Sequence, residues 1–170
     1  LPVIRKSPDY ELVGVTEDSA AVRAELSGDI PWIPRERLLK ECEVVAVESA
    51  VEDHARHARM ALEAGCHVHV EKPPATTLRE LRQLLDLAAK RGRRLQVGYM
   101  WRYNPGINAA IEAARNGWLG SIVQVRAMMN TQVGADERAK WAKFRGGALF
   151  EHGCHLNDPL IRLMGRPTKI

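Results

Sequence analysis

The sequence predicts an α/β fold, a doubly wound parallel sheet followed by the start of an α+β second domain. Two observations carry this. Short β-rich runs alternate with longer helical ones up to residue 99, joined by connections of a few residues. After Pro105 that alternation stops, and a helix, a longer alternating run and a charged irregular stretch follow.

Taken in order, residues 11–16 are a β-rich run, and 19–26 carry the Ala, Arg and Glu of a helix that Gly28 can close. Residues 30–34 are a Pro-punctuated turn, and 35–40 a short helical piece. Residues 43–47 are apolar enough for a strand buried on both faces. Residues 54–64 form an alanine-rich helix ended by Gly65, which suits a left-handed cap. A third strand over 67–71 is stopped by Pro73 and Pro74. In the next helix Thr77 and Glu80 fit a capping box, Leu78, Leu81, Leu85 and Ala88 share a face, and Gly92 closes the end. Residues 94–99 are a fourth strand. Beyond Pro105 the pattern predicts a helix over 107–116, a strand over 122–129 and a charged loop over 132–147. A last helix runs over 149–164, with Leu156, Leu160, Leu163 and Met164 on one side. A domain boundary near 101–105 divides the chain into 1–101 and 102–170.

Composition narrows the class. The 170 residues are 45% hydrophobic and 27% charged, as in a globular rather than a disordered protein. No apolar run approaches the ~18 residues of a membrane span, and the start has no signal-peptide pattern. Cys42, Cys66 and Cys154 are odd in number and widely spaced, which argues against a disulfide framework and for a reducing, cytoplasmic setting. The net charge of +4 is modest. Lys90, Arg91, Arg93 and Arg94 read as a solvated helix end favoured by the helix dipole, not as a nucleic-acid patch, because no aromatic residues are interleaved.

In a doubly wound sheet, ligands bind outside the carboxyl ends of the strands. Glu17 follows the first strand, Glu71-Lys72-Pro73 the third, and Met100-Trp101-Arg102 the fourth. Glu17 reads as a carboxylate for an adenosine ribose or as an ordinary loop residue. Lys72 reads as an ammonium projecting from a rigid base or as a surface lysine before a turn. Glu151, His155 and Asp158 fall at i, i+4 and i+7, on one face of the last helix. A histidine flanked by carboxylates suits acid/base work near neutral pH. The same spacing suits a divalent metal less well, because a third strong ligand is missing and Gly153 interrupts the helix. We therefore assign no metal. His67 and His69 point the same way from a strand and are read as packing or surface residues, and His54 and His57 as exposed.

Three ordered motifs carry a resemblance. They are Ala61-Leu62-Glu63-Ala64-Gly65-Cys66-His67-Val68-His69-Val70-Glu71-Lys72-Pro73, Gly98-Tyr99-Met100-Trp101-Arg102-Tyr103 and Gly146-Gly147-Ala148-Leu149-Phe150-Glu151-His152-Gly153-Cys154-His155-Leu156-Asn157-Asp158. Together they resemble the glucose–fructose oxidoreductase and inositol dehydrogenase family, Gfo/Idh/MocA. The resemblance implies an incomplete Rossmann-type domain followed by the start of the substrate and dimerisation domain. It also implies hydride transfer between NAD, or NADP, and a carbinol carbon of a sugar, polyol or related small molecule. By the match, Lys72 contacts the reacting hydroxyl, His155 is the acid/base group, and Glu151 stands where the family usually has Asp. Asp158 and Arg102 are expected near substrate, and Glu17, Glu71, Lys72 and Pro73 near cofactor. Two departures stand out: Glu48-Ser49-Ala50-Val51 replaces a Thr-Pro-Asn-like turn, and Trp101 replaces an arginine common in the family.

No G-x-G occurs in the sequence, so the family's glycine-rich loop is not present. The expectation is an internal piece of a longer protein, or a truncated gene product, that by itself binds NAD weakly or not at all and shows no dehydrogenase activity. The complete protein is expected to be a homo-oligomer without membrane or nucleic-acid partners. A binding protein without turnover, and an NAD-dependent glycosidase of the same family, remain as alternatives.

Overall fold

The computed structural model describes residues 2–26 and 28–169. Helices α1 (Pro2–Lys6), α2 (Ala20–Glu25) and α3 (Arg35–Glu41) precede the sheet. Strands β1 (Val44–Val47), β2 (His67–Val70) and β3 (Leu95–Val97) alternate with α4 (Val51–Glu63) and α5 (Leu78–Arg91). A 3-10 turn at Met100–Tyr103 leads into α6 (Pro105–Arg115), α7 (Ala135–Trp141) and α8 (Ala148–Met164).

The three strands are parallel in the order β1-β2-β3, with Val44 opposite His67 and Val68 opposite Leu95. Two successive crossovers in one direction put α4 and α5 on the same face, since such connections are right-handed. Val47, Val68 and Val70 point to that face and pack with Ala58, Ala61, Leu62, Leu84 and Ala88. The other face carries Val44, Ala46, His67, His69 and Gln96. Val44 is 48% exposed, so the expected burial of this strand on both faces does not occur among the described residues.

Local signals set the helix ends. The Thr77 hydroxyl accepts from the Glu80 backbone N–H at 3.2 Å, and the Glu80 carboxylate accepts from the Thr77 N–H at 3.0 Å. Gly92, at φ 61°, closes α5 in the left-handed region that glycine enters without a Cβ penalty. Ser19 caps α2 by accepting from the Val22 N–H.

Several expectations need correction. The run over 11–16 makes only an isolated parallel bridge, Val15 to Trp32, so it lacks the repeated pairing of a strand. Residues 122–129 alternate as a strand would but pair with nothing among the described residues, and Val123 is 96% exposed. Periodicity marks a strand only when a neighbour supplies the ladder. The expected loop over 132–147 contains α7, whose Trp141 is buried. The stripe on α5 is displaced: Leu84 and Ala88 are buried, whereas Leu78 is 72% and Leu85 50% exposed.

This packing gives a direct test. Leu84→Ala in the complete protein should cost about 2–5 kcal/mol of unfolding free energy, through lost transfer and a cavity. Leu78→Ala should change it by roughly 0.5 kcal/mol or less. Urea unfolding of both variants checks the ranking, and equal losses would refute it.

Candidate active site

The site begins at the end of β2. Backbone pairing carries past the strand, with the Glu71 N–H donating to Val47 O at 3.0 Å and the Gly98 N–H to Val70 O at 2.9 Å. Lys72 therefore leaves a fixed strand end. Its peptide bond to Pro73 is cis. The ammonium pairs with Glu151 Oε1 and donates to the Glu151 backbone O at 3.2 Å. The two side chains are only 12% and 15% exposed, so this is a mostly desolvated ion pair rather than a surface one. Glu151 Oε2 is buried with no partner among the described residues.

One turn along α8, His155 is buried and stacks on Trp101, with ring centroids 5.3 Å apart and planes 28° from parallel. Burial, and then the positive charge of Lys72 and the neighbouring His152, push its pKa below the usual histidine value. Glu71 and Glu151 oppose that shift. The ring therefore favours its neutral form. Two turns along α8, Asp158 accepts from Arg102, with Nε 2.9 Å from each carboxylate oxygen and Nη2 2.6 Å from Oδ1. This two-pronged geometry is the one a planar guanidinium makes best. The face of α8 carrying Glu151, His155 and Asp158 thus meets the β2 loop and the 3-10 turn. Cys154, on the same helix, has its thiol pKa raised chiefly by burial, which disfavours a thiolate there.

Glu151, His155 and Asp158 share a face as the spacing suggested, Lys72 meets Glu151 and His155 as the resemblance implied, and Arg102 joins Asp158 beside them. Glu71 lies over Gly98, where a Cβ would sit 2.3 Å from its carboxylate Oε2, so the glycine makes room for the acid. Glu17 has separate surroundings: its Oε1 accepts from the Ser19 N–H at 2.8 Å, and its backbone O accepts from Arg23 Nε at 2.5 Å. Arg23 also lies 5.2 Å above the Trp32 ring.

His54 was expected to be exposed and is instead 2% exposed. Its Nδ1 lies 2.7 Å from Pro73 O and its Nε2 2.7 Å from Ser49 O, so one ring ties the loop after β1 to the loop carrying Lys72. A signal was present, because His54, Ala58, Ala61 and Leu62 follow helical spacing on one face. Its position at a helix start masked it. His57, also expected to be exposed, is half-buried, with Nδ1 2.9 Å from Ser49 Oγ. His152 was missed as well. It packs edge-on against Trp141 at 4.6 Å, a contact that depends on α7 and so was invisible while 132–147 read as loop.

Comparison with known proteins agrees with this architecture. Residues 1–99 match the profile described as an oxidoreductase family with an NAD-binding Rossmann fold, and 107–170 match that of the GFO/IDH/MocA C-terminal domain. The chain is 33% identical to D-glucoside 3-dehydrogenase of Escherichia coli K12, over 94% of this chain and 48% of that protein. A putative oxidoreductase from Klebsiella pneumoniae superposes with a TM-score of 0.72 at 27% identity, over 98% of this chain and 47% of that one. A 3-ketoreductase from Actinomadura kijaniata, solved with TDP-benzene and NADP, gives 0.58 at 26% identity, over 68% and 38%. The chain spans about half the length of the curated relative and of the Klebsiella structure. With both of its profiles matched in order along the sequence, the chain belongs to the Gfo/Idh/MocA family of oxidoreductases.

Proposed function

We propose that the complete protein is an NAD(P)-dependent dehydrogenase that moves a hydride between nicotinamide and a carbinol carbon of a sugar, polyol or related small molecule. The observation that carries this reading is the meeting of Lys72, Glu151 and His155 beside the β2 end. We further propose division at 101/102, a soluble cytoplasmic homo-oligomer, and no nucleic-acid or membrane partner. No helix of the described residues is long and apolar enough to cross a membrane.

The residues present fit such ligands. The unpartnered Glu151 Oε2 needs a donor, which a substrate hydroxyl supplies. The bare backbone of Gly98 leaves room for the Glu71 carboxylate beside the strand ends. Glu71, Lys72 and Pro73 would hold the nicotinamide end of the cofactor, and Glu17 the adenosine ribose. Bound nicotinamide supplies the hydride acceptor. His155, neutral, takes the hydroxyl proton on its free ring nitrogen. The Lys72 ammonium, held by Glu151, stabilises the negative charge that grows on the oxygen. Arg102 and Asp158 orient the polyhydroxyl substrate.

Four measurements on the complete protein test this reading. Lys72→Ala and His155→Ala should each lower kcat by about 10²–10⁴-fold. Near-normal turnover in folded variants would remove the assignment. For alcohol oxidation the base must be neutral. Because the pKa of His155 is lowered from 6.5, the acid limb of kcat/KM should lie below pH 6.5, with activity falling as pH drops through it. A limb above neutrality would contradict this. Glu17 repels a 2′-phosphate while Arg23 is engaged with Glu17 O and Trp32, so kcat/KM should be higher with NAD than with NADP. The reverse order would count against Glu17. Finally, His54→Ala should lower unfolding free energy by roughly 2–4 kcal/mol, because it removes the ring N–H that pairs a loop carbonyl and opens a cavity. A loss below about 0.5 kcal/mol in urea unfolding would deny its bridging role.

A further inference from the structure

His155 is buried, and its surroundings leave a proton on it few ways out. Trp101, stacked on the ring at 5.3 Å, carries no acceptor, and Lys72 is a cation. Of the nearby carboxylates, Glu151 is paired with Lys72 and Glu71 lies beside Gly98 at the strand ends. His152 is the other polar neighbour. Its ring centroid lies 6.4 Å from that of His155, with the planes 33° apart. That is too far for a direct hydrogen bond and within reach of one bridging water. Trp141 of α7 holds the His152 ring edge-on, at 4.6 Å between centroids. The ring's Nε2 is buried without a partner among the described residues, yet the residue as a whole is only half-buried. A polar atom so enclosed is costly unless something bonds to it.

From this we infer that His152 relays the proton of His155 to solvent. The inference rests on the dehydrogenase reading, in which His155 takes a proton from the substrate hydroxyl. When that O–H bond breaks, its electron pair stays on the oxygen and the proton bonds to His155. His155 must lose this proton before the next turnover. A bridging water takes it and gives up one of its own protons to His152 Nε2. The Nδ1 proton of His152 then passes to bulk water, so one proton reaches solvent for each one taken from substrate. Imidazole suits the task, because one nitrogen accepts while the other donates and the ring changes charge easily near neutral pH. The edge contact with Trp141 gives α7 a part in the site, since it keeps the relay ring beside His155.

The test uses the complete protein with His152→Phe, which keeps a ring against Trp141, and His152→Gln, which keeps a polar side chain. Nitrogen-15 NMR reads the exchange of the His155 ring proton with water. Both variants should slow that exchange by about 10-fold, and kcat for alcohol oxidation should fall by a similar factor. Added imidazole should restore kcat in both variants and leave the parent unchanged, which loss of packing alone would not produce. Circular dichroism confirms folding, and either variant suffices should the other misfold. Exchange of the His155 proton at the parent rate in a folded variant overturns the proposal and gives the exit to Glu71 or Glu151. A loss of kcat that imidazole does not restore also overturns it. Because proton exchange is read without turnover, failure of the relay is distinct from failure of the dehydrogenase reading.

Discussion

The ion pair between Lys72 and Glu151 joins residues 79 positions apart and draws the sheet and the last helix together. Because both side chains are mostly withdrawn from water, neither charge tolerates losing the other, and removing one partner of such a pair costs about 3–5 kcal/mol. The pair also fixes an orientation. Once Glu151 meets Lys72, the 3.6-residue period of α8 brings His155 to Trp101 and Asp158 to Arg102. Three contacts therefore follow from one helix docking on one strand end.

The same docking sets the electrostatics. His155 feels its own burial and the lysine charge more than the two nearby glutamates, so its pKa is lowered and the neutral, proton-accepting form of the ring is favoured. Glu151 spends one oxygen on the lysine and keeps the other unpartnered. A lysine held against a carboxylate, beside a neutral imidazole, is suited to drawing a proton from a hydroxyl and stabilising the oxygen left behind. His54 supports this from below, since its ring fixes the carbonyl of Pro73 next to the lysine.

Much of this was readable from residues alone. The Thr77 and Glu80 capping box, the glycine stops and the short apolar strands are local signals, and the structure carries them almost unchanged. The stacking of Glu151, His155 and Asp158 followed from helical period. What escaped depended on partners. Residues 122–129 have the alternation of a strand and no neighbour to pair with, and 11–16 keep a single bridge. His54 looked polar and terminal, yet its ring lies between two carbonyl oxygens, and a hydrogen bond from the ring to one of them offsets the cost of burial. The leucines of α5 outnumber the places in its core face, so Leu78 and Leu85 stand in solvent while Leu84 fills the interior.

A double-mutant cycle on the complete protein tests the central claim most directly: that Lys72 and Glu151 work as one unit in hydride transfer. The quantity to measure is kcat/KM for Lys72→Met, Glu151→Gln and the pair of changes together. If the glutamate acts by holding the lysine, the double variant should be little worse than the poorer single variant. Losses that simply multiply would mean the two residues act independently, and the ion pair would then not be what organises the site.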